Sequence, residues 1–195
     1  MRLGLDKVKL ILDRTNVDPD IVGFDGRTAL MMACSMEKED LELIEFLLDQ
    51  GIDVNRRDAD GLTAFCYAVR DGRSKVIKFL LDRDDIDPNL PDVDGDTPLF
   101  YAVMEDTLSV AGLLLRKKGI DVNARNNEGI TALAIACTAG RWLEDLAADL
   151  CAFFFHTVDN NGVSLLSKVT ELRRTSDGNE HFQRIEDLLR AAGAR

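Results

Sequence analysis

The stretch DGLTAFCYA, residues 60–68, decides the fold because the chain repeats it. DGRTALMMA (25–33), DGDTPLFYA (94–102) and EGITALAIA (128–136) align with it without gaps, and NGVSLLSKV (161–169) follows as a weaker fifth copy. Their glycines, Gly26, Gly61, Gly95, Gly129 and Gly162, stand 35, 34, 34 and 33 residues apart. A period of that length means stacked supersecondary units. A second block recurs between the copies: LLDQGIDVN (47–55), LLDRDDIDPN (80–89) and LLRKKGIDVN (114–123), with LILDRTNVDPD (10–20) as a looser version. The order in each unit is turn, helix, helix, extended loop.

Each recurring residue has a physical reason. The glycine serves a tight turn that needs positive φ. Thr28, Thr63, Thr97, Thr131 and Ser164 follow two residues later, where a hydroxyl can cap the free N–H groups of a starting helix. Pro98 enters the first helical turn, where a missing N–H costs nothing; the other copies use Ala29, Ala64 and Ala132. Ala33, Ala68, Ala102 and Ala136 let neighbouring helices approach closely. The pairs Leu47/Leu48, Leu80/Leu81 and Leu114/Leu115 make the apolar stripe of the second helix, extended by Phe46 and Phe79. Neither helix can bury its stripe alone, so the units must stack.

These blocks resemble ankyrin repeats, whose hallmark is D-x-x-G-x-T-P-L-H-x-A followed by a Leu-Leu second helix and G-A-D-V-N. The likeness runs over about residues 8 to 190. It implies an all-α chain, an α-solenoid of stacked ankyrin repeats forming one domain over 1–195. The expected divisions are a partial N-terminal repeat 1–22, repeats at about 23–57, 58–91, 92–125 and 126–158, and a C-terminal capping repeat 159–195. Residues 3–14 supply only a second helix, so either the N-terminal edge is exposed or the chain belongs to something larger. LLSKVTELRR and EHFQRIEDLLR suit a cap, with TSDG (175–178) as the turn between them.

The chain departs from the family pattern in two places. The motif histidine is replaced by Met31, Cys66, Phe100 and Ala134, so packing is expected to hold those sites. The run Phe153, Phe154, Phe155 and His156 stands where other copies have I-D-V-N; a locally repacked core and an exposed docking patch are its two readings.

Composition narrows the function. The 195 residues are 46% apolar and 30% charged, with a net charge of −11, which opposes unaided binding to nucleic acid or anionic lipid. No apolar run is long enough to span a bilayer and no signal peptide is evident, so a cytoplasmic protein is expected, with the nucleus as the second compartment. Cys34, Cys66, Cys137 and Cys151 form no C-x-x-C pair and read as buried reduced thiols. His156 and His181 belong to no metal or nucleophile spacing. The acids Asp82, Asp84, Asp85, Asp87, Asp92, Asp94 and Asp96 lack the EF-hand Glu and read as solvated loop acid. No phosphate-binding loop is present, so the expectation is no enzyme, no cofactor and no metal.

Surface is what remains. The resemblance implies that the residues flanking the turn glycine, and those just past the small Ala, make partner contacts on a concave ridge. Carried over, these include Phe24, Asp25, Arg27 and Met36; Asp60, Leu62 and Arg70; Val93, Asp94, Asp96 and Met104; Asn127 and Ile130; with Arg57 and Arg125 on the same ridge. Phe24, Leu62, Val93 and Ile130 are apolar where solvated residues would be cheaper, and Arg27, Arg57, Arg70 and Arg125 lie beside them, a hot-spot composition. The leading expectation is a monomeric, non-catalytic protein–protein interaction scaffold. The alternative is a targeting or regulatory ankyrin segment of a larger protein with a catalytic or switch domain elsewhere.

Overall fold

A computed structural model describes residues 3–15, 17–105 and 107–138, together with Ser167, Thr170, Glu171, Arg174, Gln183, Glu186, Asp187 and Arg190. The fifth glycine turn, Cys151, His156 and the Phe153–Phe155 run lie outside the described residues, as does most of the capping repeat. The chain forms two compact units, Met1–Val93 and Asp94–Arg195.

The first unit holds α1 (Leu3–Arg14), α2 (Ala29–Ser35), α3 (Leu41–Asp49), α4 (Ala64–Arg70) and α5 (Ser74–Leu81). The second holds α6 (Pro98–Met104), α7 (Leu108–Leu115) and α8 (Ala132–Thr138) among the described residues. Apart from one isolated bridge between Arg125 and Thr131, no β-structure occurs among them. The fold is all-α, as the repeats imply.

Helices of seven to nine residues, such as α2 and α3, are too short to persist in water alone, so packing must hold them. Within a repeat α2 packs on α3, α4 on α5 and α6 on α7; between repeats α2 packs on α4, α3 on α5 and α6 on α8. The second-helix stripes are buried as the Leu pairs require: Leu43, Ile44, Leu47 and Leu48 in α3, Val76, Ile77, Leu80 and Leu81 in α5. Each such aliphatic side chain contributes about 1.5–3 kcal/mol when fully buried. Ala33, Ala68, Ala102 and Ala136 are buried, consistent with close helix contact.

Capping follows the hydroxyl pattern and then goes beyond it. Thr28, Thr63 and Thr131 accept the backbone N–H groups of Met31, Cys66 and Ala134 at 3.2–3.3 Å. Thr97 makes no such bond, and its helix begins with Pro98, which has no N–H there to satisfy. Helix α5 has no cap of its own. Glu39 of the preceding repeat supplies one, its Oε2 accepting the N–H groups of Lys75 at 2.6 Å and Val76 at 3.1 Å. A carboxylate there also suits the positive end of the helix dipole.

The expectation that packing alone replaces the motif histidine needs correcting in two repeats. The Thr28 N–H donates to Met31 Sδ at 3.4 Å. Thr63 donates its hydroxyl to Cys66 Sγ at 3.3 Å, and the Cys66 thiol in turn reaches the Leu90 carbonyl at 3.8 Å. Sulfur is a weak acceptor and donor, but in a buried site it satisfies groups that would otherwise stand alone. Burial raises the Cys66 thiol above its ordinary value, against the opposing effect of the Thr63 bonds, so it stays protonated and able to donate. Phe100, by contrast, is buried and does rely on packing.

Candidate partner-binding surface

The turns are built from the backbone outward. In three of them the first residue's N–H donates to the carbonyl four residues on: Gly23 to Arg27, Asp58 to Leu62, Asn126 to Ile130, at 2.9–3.0 Å. The glycines at the tips, Gly26, Gly61, Gly95 and Gly129, have φ of 78°, 81°, 84° and 78°. Positive φ is only half of their role. In the first unit Ala59 N–H donates to Asp25 O at 3.1 Å and Val93 N–H to Asp60 O at 3.0 Å, stitching successive turns together. In the second, Asn127 N–H donates to Asp94 O at 2.9 Å. A Cβ on Gly26 would meet Ala59 N at 2.8 Å, on Gly61 Val93 N at 2.9 Å, and on Gly95 Asn127 N at 2.8 Å. Hydrogen to methyl is therefore excluded by the neighbouring backbone as well as by φ.

In two of the turns the side chain of the opening residue tightens it. Asp58 Oδ1 accepts the N–H groups of Asp60 at 3.0 Å and Leu62 at 2.8 Å, and Asn126 Oδ1 does the same for Glu128 and Ile130. Asp58 Oδ2 accepts the Tyr67 hydroxyl at 2.6 Å. Two guanidinium groups, Arg27 and Arg70, lie over the Tyr67 ring, each 4.6 Å from its centre. Burial first, then the bond to Asp58 and its charge, push the Tyr67 hydroxyl up to about 12. Sequence reasoning had not singled out Tyr67. Its signal was an aromatic residue on a first helix, one repeat past an Arg at the turn.

Several residues expected on the ridge prove to have inward duties. Leu62 was expected exposed and is only 5% exposed; this is a correction, and Ile130 is half-buried in the same place. The reason is hairpin alternation. Positions two before the glycine point outward, and positions one after it lie on the returning strand, whose N–H and carbonyl both close the turn. Phe24 is fully exposed at 114% and Val93 at 57%, so the outward position does carry apolar side chains. Met36 and Met104 are each 49% exposed past their first helices.

The arginines are also less free than composition suggests. Arg27 pairs with Asp25 at 3.0 Å and Arg70 with Asp71 at 3.4 Å, while both stack on Tyr67. Arg57 donates to the Gly61 carbonyl at 3.0 Å and to the Pro91 carbonyl at 2.8 Å, stapling its turn to the next loop. Asp96 accepts the Asn126 amide at 2.9 Å, a further link between turns in the second unit. Asp60, Asp94, Arg125 and Asn127 are exposed. Among the described residues no group of His, Cys, Asp and Glu could hold a metal ion, and no helix is long and apolar enough to cross a membrane.

Comparison with known proteins bears on this geometry. The sequence profile of ankyrin repeats, built as three copies, matches residues 2–92 and 85–152. Ankyrin repeat protein L271 of Acanthamoeba polyphaga mimivirus is 37% identical over 59 residues, which is 29% of this chain and only 8% of that much longer protein. The crystal structure of the ankyrin repeat domain of Bcl-3, a member of the IkappaB protein family, is 27% identical with a TM-score of 0.76, over 96% of this chain and 78% of that one. An ankyrin repeat domain from Acinetobacter baumannii AYE is 26% identical with a TM-score of 0.76, over 98% and 93%. EF0377, an ankyrin repeat protein, is similar in fold at 24% identity and a TM-score of 0.75, over 98% and 93%.

Proposed function

The chain belongs to the ankyrin-repeat family, and from that premise we propose that its turn strip and the exposed ends of its first helices hold a protein partner. Ankyrin repeats are generally protein–protein interaction modules and generally non-catalytic. The observation that carries the ridge reading is the outward row of apolar side chains, Phe24 and Val93, on turns that are hydrogen-bonded to one another. A frame fixed in this way loses little conformational entropy on binding. Met36, in the same unit, adds adaptable apolar area. We further propose that residues 1–195 work as a single monomeric domain in the cytoplasm or nucleus, a reading that the free, buried thiols of Cys34 and Cys66 support.

The test is capture of a partner by the full chain and by a variant carrying Phe24→Ser, Met36→Ser and Val93→Ser. Loss of capture with an unchanged far-ultraviolet circular dichroism spectrum is the expected result; unchanged capture rejects the ridge. Leu62 does not belong in that variant. Its burial means that Ser there would cost about 2–4 kcal/mol of stability and confuse unfolding with lost contact. A second reading, a targeting or regulatory segment of a larger protein, draws support from L271, in which the matched stretch is a small fraction of the whole. The full-length transcript tests it: a further domain encoded in the same reading frame is its expected result.

A further inference from the structure

We propose that the open side of α1 and α2 takes an amphipathic helix of a partner protein, in the place that a first helix holds in the later repeats. The ridge is not involved. By sequence α1 is a second helix, yet α3, α5 and α7 each pack on a first helix of their own repeat and, among the described residues, α1 has none. Lys9 sets its ammonium over the Phe46 ring of α3, 5.0 Å from the centre. Ile11 comes two residues and about 200° further round the helix, so it points away from α3. It holds the place of Leu47 and is 54% exposed where Leu47 is 2%. Met32 repeats the contrast on α2. It holds the place of Tyr67, whose ring is covered by Arg27 of the preceding turn, and is 58% exposed where Tyr67 is 1%. Val17, Ile21 and Val22, between the two helices, are exposed as well.

Packing, area and charge set the occupant. The face of α4 around Tyr67 receives α2 and its turn, and α2 buries Leu30, Met31, Ala33 and Cys34. The same packing continued one step outward calls for a helix whose apolar face mixes long and small side chains. Ile11, Val17, Ile21, Val22 and Met32 leave on the order of 500 Å² in water, at the upper end for an open patch on a monomer and short of the roughly 800 Å² per partner that a stable dimer buries. One helix fits that area better than a second copy of the chain. Residues 1–24 hold four bases and four acids, so the net charge of −11 lies wholly outside them and no charge on this side selects the partner. Apolar packing does, as it does between the repeats.

The probe is a hydrocarbon-stapled, fluorescein-labelled peptide copying residues 25–36, the turn and first helix that cover the Tyr67 face, titrated with the full chain. The staple supplies the helix that so short a segment does not hold alone. Binding that persists from low to high salt is expected, about tenfold weaker with Ile11→Ser and Met32→Ser together and unchanged with Val93→Ser, an exposed apolar residue on the third turn. Both altered side chains are more than half exposed, so the far-ultraviolet circular dichroism spectrum should hold. If it does not, a benzophenone carried by the peptide decides the matter on the unaltered chain: crosslinks to α1 or α2 support the proposal, and crosslinks elsewhere overturn it. Binding no better than that of a scrambled peptide, equal losses from the double variant and Val93→Ser, or binding abolished by salt would each overturn it. Dimerisation of the chain that the double variant removes would give this side to a second copy and overturn it too.

Discussion

The turn at residues 23–28 and the turn at 58–63 share a backbone and differ in how side chains close it. Both make the same hairpin bond, and their tip glycines have φ of 78° and 81°. In the second, Asp58 is buried and binds two turn N–H groups and the Tyr67 hydroxyl. In the first, Gly23 stands where that acid would be, and Asp25 accepts only one turn N–H, that of Arg27 at 3.2 Å, beside its ion pair with the Arg27 guanidinium. The returning residue follows suit: Leu62 is sealed inside, whereas Arg27 lies across Tyr67 of the next repeat. One turn is closed from within, the other leans on its neighbour. The geometry is thus set by the backbone, and the side chains decide how much of it is held locally.

Four substitutions probe that contrast. The largest effect is expected from Gly61→Ala, which combines positive φ with a Cβ 2.9 Å from Val93 N; a loss above about 3 kcal/mol in urea unfolding is expected. Gly51→Ala has a similar φ of 83° but meets nothing within 4 Å, so only the backbone cost of about 1–2 kcal/mol should appear. Equal losses at the two sites would mean that the inter-turn contact contributes nothing.

Tyr67→Phe comes next. It leaves Asp58 Oδ2 without its donor and should cost about 2 kcal/mol. The same group makes the fold sensitive to alkali. A phenol whose proton is held up to about 12 in the folded chain, against 10 ordinarily, stabilises the fold fully below pH 10, and that stability is lost as pH rises toward 12. Cys34, pushed by burial from 9.0 to about 12, adds a loss that begins near pH 9. Thermal melts from pH 8 to 12 should therefore decline, and Tyr67→Phe should decline less steeply. A parallel decline would assign the alkaline loss elsewhere.

The smallest effect is a gain. Gly23→Asn would install the side chain that Asn126 uses to close its own turn, and a stabilisation of about 0.5–1 kcal/mol is expected. The added Cβ would lie 3.2 Å from Asp25 Oδ1, which must shift slightly. A loss of stability would show that the first turn depends on Gly23 for more than the missing acid.

Much of the fold was legible because the repeat multiplied weak signals. The glycine spacing, the Thr caps and the Leu pairs each recur, and local helix and turn physics explains them without reference to distant residues. Less of the candidate site could be read. Phe24 and Leu62 looked alike as apolar residues near a turn glycine, yet a two-residue alternation sends one outward and the other into the core. The arginines looked available because composition shows a charge and not its partner. The sulfur bonds of Met31 and Cys66 were missed because a thioether or thiol reads in sequence as an apolar filler.

What the chain's order of residues determined alone was the repeating element: where each turn bends, where each helix starts, and which stripe must be hidden, since these depend on neighbours a few positions away. What the tertiary structure decided was how repeats engage one another: the Glu39 cap on α5, the Arg57 staple, the Arg27 guanidinium on Tyr67, and the backbone bonds that deny the turn glycines a Cβ. Those contacts join residues about a repeat apart, and hydrogen bonds and close packing depend on fractions of an ångström that only the assembled chain sets.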